Sequence, residues 1–226
     1  MKKVIVISLG GSIIVPNKAD VKFLKKFREV IKSNSRKYKF VIVFVGGSVA
    51  RTYINSLESD GKSEYLQNLI GISVTRLNAR FVSYLFGRDP ENGIPHDMKS
   101  VKDLLNKNDV VFCGGLRYAP DQTSDATAAR LANYLSSNFI NITDVKGLYD
   151  KHPKFKSAKF IPEITISNLV KLSSKLEHKP GQHFVLDKAA IRIIQKNKIK
   201  TYIIGPNLVQ LTNLLNEKKF IGTIIS

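Results

Sequence analysis

Cysteine is almost missing from this chain of 226 residues: Cys113 is the only one, so no disulfide can form within it. Its setting in a Val-Val-Phe-Cys run reads as a buried strand and fits a reducing cytosol. Acidic side chains are scarce, 18 against 36 basic ones, which leaves a net charge of +18. Long apolar runs are absent too. None approaches the roughly 20 residues that span a bilayer. The first fifteen residues set two lysines before an apolar run, but Gly10-Gly11-Ser12 interrupts it and no small-residue cleavage site follows, so a cytoplasmic location is expected rather than export. Nor is there a Walker loop, a Gly-x-Gly-x-x-Gly fingerprint, or the His-Arg-Asp and Asp-Phe-Gly pair of protein kinases. His178 and His183 flank Lys179-Pro180-Gly181, which is a surface-loop pattern and not a helical zinc pair; no protein metal site is expected.

What is present is a core-forming composition. Apolar residues make up 43% and aromatic residues 9%, spread over the whole length, which excludes a disordered or fibrous chain. The length suits one domain, residues 1–226, with room for two lobes. The basic excess invites a nucleic-acid reading through counterion release. Lysines are scattered, however, with only short runs such as Lys22, Lys25, Lys26 and Arg28, so a solvated basic surface is the simpler reading. That field would draw anionic nucleotides toward a cleft.

Short runs rich in Val, Ile and Phe recur at Val4–Leu9, Phe40–Val45, Val110–Cys113, Phe139–Ile142 and Tyr202–Ile204. Strands this continuously apolar are buried on both faces, as in a parallel sheet. Between them lie helical spacings: Val21, Leu24, Phe27 and Ile31 share one face, and Leu66, Leu69, Ile70, Val74, Leu77, Phe81 and Leu85 share another. Alternation of this kind predicts a three-layer α/β/α sandwich around a mainly parallel central sheet. The segments 88–100, 150–164 and 175–182 read as loops, the last of them mobile.

Three of the apolar runs lead into paired glycines: Gly10-Gly11, Gly46-Gly47 and Gly114-Gly115. Ligands of open parallel sheets sit at the carboxyl ends of the strands. Glycine there lets main-chain N–H groups approach an anion closely. One such pair is more often a plain turn; three at equivalent strand ends point to a phosphate site.

In their order these elements resemble the amino acid kinase superfamily, and within it the archaeal-type uridylate kinases, over residues 4 to 225. Ser8-Leu9-Gly10-Gly11-Ser12 is similar to the first phosphate loop, and Gly46-Gly47-Ser48-Val49-Ala50-Arg51 to the second, whose arginine faces the nucleotide phosphates. Asn68-Leu69-Ile70-Gly71-Ile72-Ser73-Val74-Thr75-Arg76-Leu77-Asn78-Ala79 resembles the uridylate-kinase helix and selects UMP as acceptor. Thr123-Ser124-Asp125-Ala126 resembles the loop that grips the acceptor, with Thr123 or Ser124 as helix N-cap. Ile142 to Tyr149, followed by His152-Pro153, resembles the ATP-side segment, and Val185 to Ala190 the start of the late helix.

The resemblance implies ATP and Mg²⁺ as cofactors, transfer of the γ-phosphoryl group to UMP, a lobe of about 1–140 for the acceptor and one of about 141–226 for ATP, and a hexameric homo-oligomer. It implies catalytic roles for Gly11, Ser12, Arg51 and Asp144. ATP would meet Gly10, Gly11, Ser12, Gly47, Arg51, Thr143, Asp144, Tyr149 and His152; UMP would meet Gly46, Asn68, Gly115, Leu116, Gln122 and Thr123. The chain departs from its relatives at Ser8, where many carry lysine; at Asn68, where an acid is usual; and at Lys146 and His152, where aspartates are usual. Losing a fixed donor to the moving phosphoryl group costs on the order of 10²- to 10³-fold in rate. Lys146 or Lys188 is a candidate replacement for the missing charge. Residues 116–122 are about two longer than usual, and Arg117, Tyr118 and Asp121 within them bear on acceptor choice. Two other readings stay open: a different small-anion kinase of the superfamily, or a relative that binds nucleotide or nucleic acid without turnover.

Overall fold

The computed structural model describes residues 2–89, 93–119, 123–176 and 185–226. Along the chain run β1 (Lys3–Leu9), α1 (Gly11–Ile14), α2 (Val21–Asn34), β2 (Tyr38–Phe44), α3 (Gly47–Ser59), α4 (Glu64–Leu85), α5 (Met98–Lys107), β3 (Val110–Cys113) and α6 (Ser124–Tyr134). They are followed by β4 (Asn138–Ile142), β5 (Leu148–Tyr149), β6 (Phe160–Ile161), β7 (Glu163–Ile164), α7 (Ile166–Leu176), α8 (Lys188–Asn197), β8 (Thr201–Ile204), α9 (Leu208–Leu215) and β9 (Thr223–Ile225). All five apolar runs are strands. They form the body of a seven-stranded sheet ordered β3-β2-β1-β4-β8-β9-β7, and β5 pairs with β6 in a separate ribbon.

The pairings from β3 through β8 are parallel, which the in-step registers Ile7↔Ile42, Ile7↔Ile140 and Ile140↔Tyr202 display; β9 runs antiparallel to β8. Helices cover both faces. On one, α2 packs against α4 and α9; on the other, α8 packs against α6 and α7. This is the expected three-layer sandwich. Leu24, Phe27 and Ile31 of α2 are fully buried, each stabilising the fold by about 1.5–3 kcal/mol. The sharp start of α2 comes from Asp20, whose carboxylate accepts the Phe23 N–H at 2.9 Å.

The expected apolar face of α4 overlaps the buried one only in part: Val74 is buried and Phe81 and Leu85 pack against the core. Leu66 and Leu77 are 44% and 63% exposed, whereas Val74, Thr75, Asn78, Ala79, Val82 and Ser83 are buried. The polar members of that face are satisfied in place: Thr75 Oγ1 donates to Ile72 O at 2.6 Å, Asn78 Nδ2 to Val45 O at 2.9 Å and Ser83 Oγ to Arg80 O at 2.7 Å. The expected loops are also shorter than read. Asp97 caps α5 by accepting the Ser100 N–H at 2.8 Å, and the 150–164 segment contains β6 and β7. The stretch 175–182 runs from the end of α7 into residues outside the described ones, as do His178 and His183. Among the described residues no helix is long and apolar enough to cross a membrane.

Candidate active site

The order β3-β2-β1-β4 brings the three glycine pairs side by side along one edge, each at the carboxyl end of its strand. The first turn is tied to the end of β4, since Gly10 N–H donates to Ile142 O at 3.0 Å. It also touches the second. A Cβ built on Gly11 would lie 2.4 Å from Gly47 N, and Gly47 itself holds φ +68, in the left-handed region that side chains avoid. Glycine at both positions lets two main chains meet with their amides unshielded. The third turn leans on α4 instead: a Cβ on Gly114 would lie 2.5 Å from Thr75 Oγ1, and the neighbouring Gly115 N–H donates to that hydroxyl at 2.7 Å.

Between the second and third turns opens a cavity of about 290 Å³, walled by α3, α4 and the starts of α6 and α8. Arg51 and Arg117 stand in its wall, and neither enters a salt bridge among the described residues. Arg76 has a different task. Its guanidinium donates to Gly115 O at 3.0 Å and to Leu116 O, which pins the third turn, and burial pulls its pKa below the ordinary value.

Two helix N-termini converge on the same space. Thr123 caps α6, accepting the Ala126 N–H at 3.0 Å, while its hydroxyl donates to the carboxylate of Asp187. Asp187 in turn caps α8 by accepting the Ala190 N–H at 2.8 Å. Asp125 lies beneath them and accepts from Ser8 Oγ at 2.8 Å, Ser8 being fully buried in β1. Burial, and next the negative charge of Asp187, push Asp125 up to about 7, with the Ser8 hydrogen bond opposing. Ser8 therefore serves as a partner of Asp125, not as an open phosphate donor. Asn141 Nδ2, donating to Val185 O at 2.8 Å, fastens the segment before α8 to β4.

Of the residues expected at the site, Gly46, Gly47, Arg51, Asn68, Gly115, Leu116 and Thr123 line this cavity; Gln122 lies outside the described residues. Gly10, Gly11, Ser12, Thr143 and Asp144 sit at the ends of the neighbouring β1 and β4 and do not line it. Thr143 Oγ1 donates to Asp144 at 3.2 Å. Tyr149 and His152 are farther out on the β5–β6 ribbon, where Tyr149 meets Phe160 edge-on at 5.6 Å and His152 Nδ1 accepts the Lys154 N–H at 3.2 Å. Lys188 lines a different cavity, between α7 and α8, and Lys146 is exposed; neither is in the wall of the glycine-loop cavity. Sequence reasoning assigned no role to Thr75, Asp125 or Asp187. All three stand in motifs quoted above, but nothing local marks Asp187 as the neighbour of Asp125.

A sequence profile of the amino acid kinase family matches residues 3–205. The chain is 34% identical over 203 residues to a uridylate kinase of Thermococcus kodakarensis, covering 89% of each, and 33% identical over 226 residues to one of Methanococcus aeolicus, covering 98% of this chain and 99% of that one. Its fold matches the crystal structure of uridylate kinase from Archaeoglobus fulgidus with a TM-score of 0.85, at 33% identity and over the whole of both chains.

Proposed function

We propose that this chain, which belongs to the amino acid kinase family, transfers the γ-phosphoryl group of ATP to UMP, giving UDP and ADP. The relatives named uridylate kinase support the choice of acceptor. The observation that carries the mechanism is the cavity lined by two glycine turns, two helix N-termini and two arginines that enter no salt bridge among the described residues.

Phosphoryl transfer asks the protein for in-line positioning and for neutralisation of spreading charge. The UMP phosphate would sit against the amides of Gly46 and Gly47 and the first turn of α6, where the helix dipole favours an anion. Arg51 would neutralise it from α3. Asn68 Nδ2 is engaged with Glu64 O at 2.9 Å, so this side chain would meet the ribose through Oδ1. Gly115 and Leu116, pinned by Arg76, would border the base. ATP would enter from the β1 and β4 side along Gly10, Gly11, Ser12, Thr143 and Asp144, with Tyr149 and His152 toward its base. An acceptor phosphate oxygen then attacks the γ-phosphorus as the bond to the β-phosphate oxygen breaks. No protein base is needed, because the acceptor is already an anion.

Mg²⁺ fits as a companion of ATP and not as a resident ion. No group of three metal-binding side chains exists among the described residues; Asp187, and Asp125 in its ionised form, would supply the one or two carboxylates that magnesium takes beside substrate phosphates. When bound it would neutralise phosphate oxygens. We read residues 1–140 and 141–226 as acceptor and ATP lobes of one domain, acting in the cytoplasm as a homo-oligomer, a hexamer by family likeness.

Incubation of the purified protein with ATP, Mg²⁺ and each nucleoside monophosphate tests the proposal. UDP formation with UMP preferred over CMP, AMP and GMP is the expected result. Turnover of another acceptor in preference, or saturable UMP binding with no UDP, would overturn it.

A further inference from the structure

Opposite in character to the cavity is the arm formed by β5, β6 and the turn between them. From 151 to 159 it carries Lys151, His152, Lys154, Lys156 and Lys159, and Asp150 is the sole acid from 145 to 162. That carboxylate is engaged at the root of the arm, accepting the Lys159 N–H at 2.7 Å. No salt bridge among the described residues involves an arm lysine. At the tip Phe155 is 55% exposed although its backbone is held on both sides, its N–H donating to His152 O at 3.0 Å and its carbonyl accepting from Ala158 N–H at 2.9 Å. Lys151 Nζ straps the turn by donating to Ser157 Oγ at 3.1 Å, and the Tyr149–Phe160 pair anchors the base. The arm thus presents an aromatic ring in water, flanked at alternate positions by Lys154 and Lys156.

We propose that this arm binds single-stranded nucleic acid, with Phe155 as a stacking platform and Lys154, Lys156 and Lys159 on consecutive phosphates. An exposed ring between cations matches a base and its neighbouring phosphates, since stacking accepts any base while lysines follow the backbone. A duplex would leave the ring without a partner, because its bases are already stacked. Among the described residues the other exposed aromatic rings are set differently: Tyr53, Tyr65, Tyr84 and Tyr134 lie on helices, and Tyr118 packs edge-on against Tyr65 at 5.0 Å.

The test is fluorescence anisotropy of a labelled single-stranded RNA of ~12 nucleotides with the full chain, without UMP or ATP, across a salt series. The expected result is saturable binding with a log–log salt slope of about −2 to −3, three or four phosphates being neutralised at roughly −0.7 each. Lys154→Ala with Lys156→Ala should weaken it about tenfold at low salt. Phe155→Ala should weaken it on the order of 5- to 100-fold and Phe155→Tyr should restore it. A duplex of the same sequence should bind less well. Thermal melting of each variant, expected to match the parent because these side chains are exposed, separates loss of contact from loss of fold. Three results would overturn the assignment: affinity unmoved by every arm substitution; arm-dependent binding to phosphatidylserine vesicles with arm-independent binding to RNA; or displacement of RNA by saturating ATP together with an equal rise of ATP KM in the double lysine variant. The first two are independent of whether UMP is the phosphoryl acceptor.

Discussion

The cavity at the glycine turns and the β5–β6 arm both collect groups that attract phosphate, yet they hold them in opposite ways. In the cavity the cationic and amide groups rest on packed elements: Gly11 against Gly47, Arg76 on the third turn, Thr123 bonded to Asp187 across two helix starts. On the arm the cations are long, exposed side chains on a two-residue ribbon. A rigid site selects one small anion by geometry, and an exposed one accepts a flexible polyanion by charge. The cavity is therefore where single substitutions should damage turnover, and the arm's tip, Lys154 to Lys156, is where they should be tolerated.

The largest effect should come from breaking the contact between the first two turns. Gly11→Ala puts a methyl 2.4 Å from the Gly47 nitrogen, and Gly47→Ala adds the cost of a left-handed backbone, about 1–2 kcal/mol. Displacing these turns by about an ångström should lower kcat/KM for UMP by on the order of 10²-fold or more in steady-state assays, with a lowered Tm. Arg51→Ala comes next. It should cost on the order of 10²-fold in kcat/KM while the Tm holds, since its side chain makes no described salt bridge to lose.

Titration of Asp125 sharpens the contrast between buried and exposed groups. Its folded pKa, about 7, lies above the ordinary 3.8, so the fold favours the neutral acid. The stability this gives is complete below about pH 4 and is lost as pH rises toward 7. Melting curves should therefore show the parent losing stability between pH 4 and 7 relative to Asp125→Asn, with the difference constant above 7. The smallest effect belongs far from both regions. Asp20→Ala removes the α2 cap and should cost about 1 kcal/mol, lowering the Tm by about 2–4 °C with kcat unchanged.

The sheet and its glycine edge were legible because residues such as Val6, Ile7, Val41 and Ile42 are apolar without alternation, and only strands covered on both faces are written so. The buried face of α4 is only partly legible, for a related reason. Apolar periodicity ranks side chains by polarity, while Thr75 and Asn78 are buried because Gly115 and Val45 give them partners from other elements. β5, β6 and β7, at two residues each, are too short to carry any period. The Thr123–Asp187 contact joins residues 64 positions apart, and no local pattern announces it. Ser8 could be seen to lack a charge; that it would be turned toward Asp125 could not.

The central claim is that main-chain amides at neighbouring strand ends take hold of UMP. Titrating the ¹⁵N-labelled protein with UMP and following amide resonances measures this directly. Saturable shifts at Gly46, Gly47, Gly115 and Ser124, with the amides of 151–159 left in place, are the predicted result. Shifts confined to the arm, or no saturable shift at the glycine turns, would contradict it.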